Sequence, residues 1–494
     1  MPEEQQSASR WHRRAAKNVV LGGMAYGLDT LLVLTYTLLL ARSLGTRDFG
    51  TFTFSISLAL LAYLPVDFGT SLAVVRGAAT QSLDTRLFLS LTRFRLTCIP
   101  VLVLLASLVM WAGRVTGGLP SVLSMLFVSE GLACTTNGYL ALLRGQGRLE
   151  RILVVSGVEK IALILLLLSA SRGFYVPGGL LGVGISFVAA RIIALTAALC
   201  ASWTGIKALT PVPGAAPRLS EFLKSSRHLG AFLLVERGAF YLIPILLTIV
   251  SGPMETGIFQ ACFKVALVPV ALVSALSNGL YPVLADIARE QPAKMATPFG
   301  IALTLNQWVA SVAVTLMLVT PRELLEILFG ADYTAGVTTL RALTPYVLLA
   351  AVWQLSLYSL TALRQDRFVF RASICCLIVT ALGLAGLGAR MGSLGGAIAV
   401  GIGQAVAVAV CWPALLEAKL TRNRGWTAIG GTLALGLLVA AAFVIRRNVN
   451  LEPWGLLLMT LALSIVALPF MYLGLRLVGK NEVRAVRNAW GRAG

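Results

Sequence analysis

The chain has 494 residues, of which 57% are hydrophobic and 13% charged, with a mean hydropathy of +0.83. That balance lies outside the range of a water-soluble globular protein and describes a polytopic, all-α integral membrane protein. A formal net charge of +20 would suggest a nucleic-acid partner in a soluble chain, but here it follows from cations placed between apolar runs, and no nucleic-acid role is expected.

A hydrocarbon core of about 30 Å asks for roughly 20 mainly apolar residues per helix, and a helix is the form that satisfies every backbone polar group inside lipid. In chain order the spans are expected at 18–41, 50–75, 96–113, 120–143, 152–169, 179–203, 229–250, 257–281, 299–320, 340–363, 372–389, 393–416, 427–445 and 454–477, about 14 transmembrane helices in all. The first follows the basic tract Arg10, Arg13, Arg14 and Lys17, as a secretory signal would. Its apolar run is too long for a signal and ends in LLLARSLG without a cleavage site, so it is expected to stay as a span. Lys and Arg are distributed roughly three to one in favour of the segments on the side of the amino terminus. Both termini are therefore expected in the cytoplasm, with the chain in the plasma (inner) membrane.

Chemistry is sparse between the spans. No G-x-x-x-x-G-K-[ST] occurs, so ATP hydrolysis by this chain is not expected. The longest loops, 204–228 inside and 321–339 outside, are short. The outer carboxylates Glu323, Glu326 and Asp332 lie in PRELLEILFGADY, whose pattern fits a short amphipathic interfacial helix and its capping turn better than a catalytic loop. The cysteines, Cys98, Cys134, Cys200, Cys262, Cys375, Cys376 and Cys411, fall within or at the ends of spans, as apolar fillers do. His12 and His228 lie far apart, with no metal-site spacing. The chain is not expected to be an enzyme or to hold a metal or cofactor.

The stretch GTRDFGTF at 45–52 returns as GPMETGIF at 252–259. The same offset places Asp29 on Glu236, Gly45 on Gly252, Asp48 on Glu255, Gly50 on Gly257 and Phe52 on Phe259. A looser echo relates GGLLGVGISFVAARII at 178–193 to MGSLGGAIAVGIGQAV at 391–406, each with glycines that let helices approach closely. Two six-helix lobes are expected, at 18–203 and 229–416. An even helix number makes them parallel repeats around a central cavity. Residues 1–17 form a cytoplasmic tail, 204–228 a cytoplasmic linker, 427–477 an appended helix pair, and 478–494 a basic cytoplasmic tail.

Charges inside spans are costly and usually face the bundle interior or a water-filled path. They are Asp29, Asp67, Glu130, Glu159, Lys160, Arg191, Glu236, Arg237 and Lys264. Arg237 shares a face with Tyr241 and Thr248, and Gln260 precedes Lys264 by one turn. Such stripes suit a cavity that binds an anionic cargo, since a guanidinium matches phosphate oxygens. Arg237, Lys264, Tyr241 and Gln260 are therefore the candidate substrate-binding or gating residues. Asp29, Asp67 and Glu236 are open to two roles, binding a coupling H+ or Na+ or balancing these cations. Structural ion pairs are expected for Glu130, Glu159, Lys160 and Arg191.

The runs LLLARSLGTRDFGTFTF, DFGTSLAVVR and LFGADYTAG resemble the polysaccharide-biosynthesis family of membrane proteins. This is the Wzx-type oligosaccharide flippase branch of the multidrug/oligosaccharidyl-lipid/polysaccharide (MOP) exporter superfamily. The resemblance covers nearly the whole chain. It implies helices 1, 2, 7 and 8 lining a cavity that opens alternately to either side. The cargo it implies is an oligosaccharide on a polyprenyl diphosphate, and the implied partners are the polymerase and glycosyltransferases of the same pathway. It carries a transport role to Asp29, Asp67, Glu236, Arg237 and Lys264, although helices 1 and 2 offer no mid-span arginine. A cation-coupled multidrug exporter, a lipid II flippase and, from another class, a membrane glycan polymerase or ligase are the alternatives.

Overall fold

A computed structural model describes residues 2–80, 83–112, 119–171, 178–207, 209, 227–290, 295–420, 439 and 452–474. Side chains are described for these except at 2–30, 171, 227–229, 231–233, 236, 282, 290 and 467–474. The expected span 427–445, the tail 478–494 and most of the linker 204–228 lie outside the described residues, as do the side chains of Asp29 and Glu236.

Every element among the described residues is helical. They are α1 (Pro2–Asp67), α2 (Thr70–Ala79), α3 (Thr85–Ala112), α4 (Leu119–Gly145), α5 (Leu149–Ser171), α6 (Gly179–Lys207) and α7 (Arg227–Ser251). After these come α8 (Pro253–Glu290), α9 (Ala296–Val319), α10 (Pro321–Phe329), a 3-10 turn (Ala331–Gly336), α11 (Val337–Ala342) and α12 (Thr344–Ala362). The last are α13 (Asp366–Gly383), a π turn (Leu384–Gly388), α14 (Ala389–Glu417) and α15 (Pro453–Gly474). Among the described residues, 9 helical stretches are long and apolar enough to cross a membrane. Two of these, Leu31–Asp67 and Asp366–Glu417, are broken internally at Gly45 and Gly392. The protein is a multi-pass membrane protein.

The chain forms two compact units, Met1–Thr248 and Ile249–Gly494. The division falls within α7, after the 229–248 stretch that the sequence places at the start of the second lobe. Within this stretch the Gly230 position abuts the Phe68 backbone, and Gly238 faces Leu61 and Leu64 of α1.

Within unit 1, α4 packs on α1, α2, α3 and α6, and α5 packs on α6. Within unit 2, α12 packs on α8, α9 and α14, and α13 packs on α14. The neighbour scheme thus recurs. So do the breaks between helices. Gly45 and Gly252 both have left-handed φ, 71° and 86°, followed at once by a new helix, and Gly179 and Gly392 repeat this at 72° and 57°. A third matched turn has no counterpart in letters. Arg148 N–H donates to the Leu143 carbonyl (2.9 Å) around Gly147, and Gln365 N–H donates to Leu360 (2.8 Å) around Arg364, both central residues being left-handed. These are helix C-caps of the 6→1 type.

Small residues set the spacing where helices meet. Side chains at Gly184, Gly383 and Gly403 would run into Met125, Ala399 and Thr380 respectively. Buried hydroxyls on α6 and α9 bond their own backbone one turn back, as Ser186 to Gly182 (2.8 Å), Ser202 to Ala198 (2.7 Å) and Thr315 to Ser311 (2.8 Å). Each hydroxyl is thereby satisfied inside an apolar bundle without a partner on another helix.

One expected span differs. Residues 50–75 do not form a continuous helix: α1 ends at Asp67, Phe68 and Gly69 turn left-handed (φ 32° and 75°), and α2 begins at Thr70. Gly69 takes a conformation that costs other residues, and the Asp67 carboxylate accepts from the Ser71 hydroxyl at 2.6 Å and from Thr70 at 3.4 Å.

PRELLEILFGADY forms α10 and the 3-10 turn. Pro321, Leu324, Leu325 and Phe329 are buried on one side of the helix, the Arg322–Glu326 pair is exposed at 4.0 Å, and Tyr333 packs against Phe329 (5.5 Å between ring centroids). All seven cysteines are free.

Candidate functional site

Two buried ionic clusters occupy unit 1. In the first, Arg95 of α3 is 2% exposed. Its Nη2 donates to Asp67 (2.8 Å), Thr70 (2.7 Å) and Ser71 (3.1 Å), while Nη1 donates to the Cys134 carbonyl of α4 (3.2 Å). The absence of a side chain at Gly138 makes room for this guanidinium. Sequence reasoning places Arg95 in a cytoplasmic segment because it starts the span at 96. The helix begins at Thr85, so Arg95 is well inside it. Asp67 is therefore neutralised by an arginine from the third helix, one that the apolar run of 96–113 hides.

In the second cluster, Arg191 of α6 donates to Glu159 of α5 and to Glu130 of α4 (3.3 Å for the latter), and Lys160 lies 3.8 Å from Glu159. Two carboxylates and two cations are thus brought together from three helices, which offsets much of the cost of removing each from water. Tyr36 of α1 lies within electrostatic reach of Arg191, and Tyr241 of α7 within reach of both Glu130 and Arg237.

Of the candidate binding residues, Arg237 and Tyr241 belong to unit 1, Gln260 and Lys264 to unit 2. Arg237 is exposed on α7 and Tyr241 half-buried one turn on; neither has an ion-pair or hydrogen-bond partner among the described residues. Gln260 is buried on α8. Lys264, one turn along, is half-buried on an apolar helix with no carboxylate against it among the described residues. Described intramembrane charges are thus of two kinds, those paired within unit 1 and the cations Arg237 and Lys264. Backbone at Asp29 and Glu236 lies in α1 and α7.

The repeated loop has its own role in unit 2. The Glu255 carboxylate accepts the Ser393 N–H at 2.7 Å beside the left-handed Gly392, Thr339 donates to the Ser393 hydroxyl at 3.0 Å, and Ser251 donates to the Gly388 carbonyl at 2.7 Å. Glu255 therefore caps the restarted part of α14, where a carboxylate meets unsatisfied N–H groups. No three His, Cys, Asp or Glu side chains converge as metal ligands among the described residues.

Broken helices, paired charges within apolar helices and a neighbour scheme written twice define a helical membrane fold built on an internal repeat. The family model for "Polysaccharide biosynthesis protein" matches residues 15–288, more than half of the chain, and the protein belongs to that family. Among solved structures it is similar to the lipid II flippase MurJ in an inward closed conformation, with TM-score 0.74 and 13% identity over 92% of this chain and 99% of that one. A multidrug resistance MATE family transporter of the MOP superfamily in its inward-facing conformation gives 0.63 and 15%, over 80% and 96%. A MOP superfamily transporter from Pyrococcus furiosus gives 0.59 and 15%, over 82% and 96%. At these identities the likeness is one of fold. Among curated proteins, none matches the sequence.

Proposed function

We propose that the protein is a flippase that carries a polyprenyl-diphosphate-linked oligosaccharide from the cytoplasmic to the outer leaflet by alternating access, for assembly of a surface or exported polysaccharide. Lys264 is the observation that carries this reading. An ammonium held on an apolar helix without a carboxylate among the described residues is costly, and such a charge persists where a mobile anion meets it. Arg237 supplies a planar donor for phosphate oxygens, and Tyr241 and Gln260 supply neutral hydrogen-bonding groups for the cargo. The protein performs no bond chemistry itself. Asp29 and Glu236 are the carboxylates open to two roles, binding a coupling H+ or Na+ or balancing these cations. Asp67, already held by Arg95, serves the fold. Both termini face the cytoplasm, the two lobes are parallel six-helix repeats, and the pathway's glycosyltransferases and polymerase act before and after it.

Arg237→Ala and Lys264→Ala are expected to block the appearance of lipid-linked sugar in the outer leaflet, measured in inverted vesicles, without lowering the amount of protein in the membrane. Normal translocation by both variants would remove this assignment. The fold shared with MurJ favours a second cargo, lipid II, which presents the same diphosphate. Depletion of the protein separates the two by which polymer stops, surface polysaccharide or peptidoglycan. Loss of product with translocation intact in Glu323→Gln or Asp332→Asn would instead reveal a polymerase.

A further inference from the structure

At one end of unit 1 the chain gathers cations around the close of α6. The stretch 144–151 reads RGQGRLER and 203–207 reads WTGIK. The 6→1 turn after α4 places Arg148 at the start of α5 and Arg151 just inside it, and both guanidiniums reach α6. Arg148 donates to the Thr204 hydroxyl at 2.6 Å, and Arg151 donates to that hydroxyl at 2.9 Å and to the Ala201 carbonyl at 2.5 Å. Gln146 fixes the same corner by donating to the Gly205 carbonyl at 2.9 Å. Lys207 lies over the Trp203 ring, 5.1 Å from its centroid, and that indole is 59% exposed.

Capping of α6 explains part of this, since cations favour a helix carboxyl end. It does not use up the chemistry. A guanidinium has five N–H donors, and each arginine spends its bonds through a single nitrogen, Nη1, leaving Nε and Nη2 without an acceptor among the described residues. Four cations, Arg144, Arg148, Arg151 and Lys207, share these two stretches with one carboxylate, Glu150. The two arginines are held in place by hydrogen bonds, so little side-chain freedom remains to be lost when an anion arrives. An exposed tryptophan at the end of an apolar helix marks the depth at which lipid headgroups lie. The singly charged phosphodiester is the anion abundant at that depth, and basic pockets between transmembrane helices suit it.

We propose that Arg148, Arg151 and Lys207 form a binding site for the headgroup of an anionic phospholipid at the α5–α6 end of unit 1. The phosphodiester oxygens take the free guanidinium donors, Lys207 adds its charge from the α6 side, and the Trp203 ring lies along the upper acyl chain. The site is independent of the cargo and of the residues assigned to it.

Full-length protein in nanodiscs or detergent tests this by lipid retention in native mass spectrometry and by thermal shift on titration with phosphatidylglycerol, phosphatidylcholine or inorganic phosphate. Phosphatidylglycerol is expected to be retained over phosphatidylcholine. Arg148→Gln with Arg151→Gln should weaken its binding about 30-fold, and Lys207→Gln alone about 5-fold. Equal retention of both lipids, or unchanged phosphatidylglycerol binding in Lys207→Gln and the double variant, overturns the proposal. Inorganic phosphate displacing the lipid at equal concentration overturns it too, because the site would then serve a free anion. Should the double variant fail to fold, Lys207→Gln decides the matter, since that side chain is exposed and makes no bond that closes the corner.

Discussion

Units 1 and 2 are built on one neighbour scheme with matched left-handed turns, yet buried ion pairs are found in unit 1 and neutral polar contacts in unit 2 among the described residues. Unit 1 brings Asp67 to Arg95 and joins Glu130, Glu159, Lys160 and Arg191 in one cluster. At the buried crossing of α8, α9 and α12, unit 2 uses neutral polar groups: Asn306 donates to Ser277 at 2.9 Å and to the Ala351 carbonyl at 3.4 Å. Its intramembrane cation, Lys264, has no partner among the described residues. The paired charges of unit 1 therefore hold helices together, whereas Lys264 in unit 2, like Arg237 near the end of unit 1, has no carboxylate against it among the described residues. Removing a charge should then have opposite signs at Arg191 and at Lys264.

The largest effect is expected at Arg191. Arg191→Leu leaves two buried carboxylates facing each other and should cost about 3–5 kcal/mol, read as a large fall in thermal midpoint in detergent. Adding Glu130→Gln should recover part of the loss, since Lys160 still lies 3.8 Å from Glu159, and an unchanged midpoint in the single variant would remove the structural role given to Arg191. Next is Gly392→Ala. Backbone at φ 57° and ψ −132° is foreign to alanine, and the new methyl would meet the Glu255 carboxylate. A loss of about 3 kcal/mol is expected, against about 2 kcal/mol for Gly45→Ala, whose backbone (φ 71°, ψ 177°) also suits glycine alone but where nothing lies within 4 Å of the added carbon. Comparing the two midpoints shows whether the Glu255 cap makes the unit 2 turn the stiffer.

Lys264→Met should act the other way, raising stability by about 1–2 kcal/mol by removing a half-buried charge, while lipid-linked sugar no longer reaches the outer leaflet. Destabilisation in the same assay would mean that Lys264 is a structural charge like those of unit 1. The smallest effect belongs to Arg364→Gly, which places in unit 2 the residue unit 1 has at Gly147. Relief of a left-handed arginine should stabilise by about 0.5–1 kcal/mol, with transport unchanged.

The apolar spans and the GTRDFGTF turn were legible because each is a property of residues close in sequence: length and hydropathy for the spans, a glycine at the left-handed position for the turn. The turn shared by Gly147 and Arg364 was not, since an arginine in a left-handed cap carries no local signal of its backbone. Arg95 was misplaced because a helix that continues past its apolar run looks like a helix followed by a basic loop. Its burial depends on Gly138 and Cys134, some forty residues away. The break after Asp67 was hidden by the apolar residues on both sides of it, although DFGT contains both the glycine and the carboxylate that produce it. Among the charges in apolar runs, the sequence sets Arg237 and Lys264 apart from Arg191 by their place in the leading helices of the second lobe, and the structure supplies the partners of Arg191, Glu130 and Glu159.

The break at Phe68–Gly69 also has a mechanical side. The 10 residues of α2 make a rod about 15 Å long at 1.5 Å per residue, joined to α1 through two residues. Turning such a rod by about 10° about its near end carries the far end through nearly 3 Å, close to the diameter of a water molecule. Gly145 of α4 presses on the backbone of Val75 and on Ala78 in the outer half of that rod, where leverage is greatest. The Asp67–Arg95 pair sits at the near end, where a given rotation moves atoms least, so the joint can bear charge while the swing is resisted by carbon.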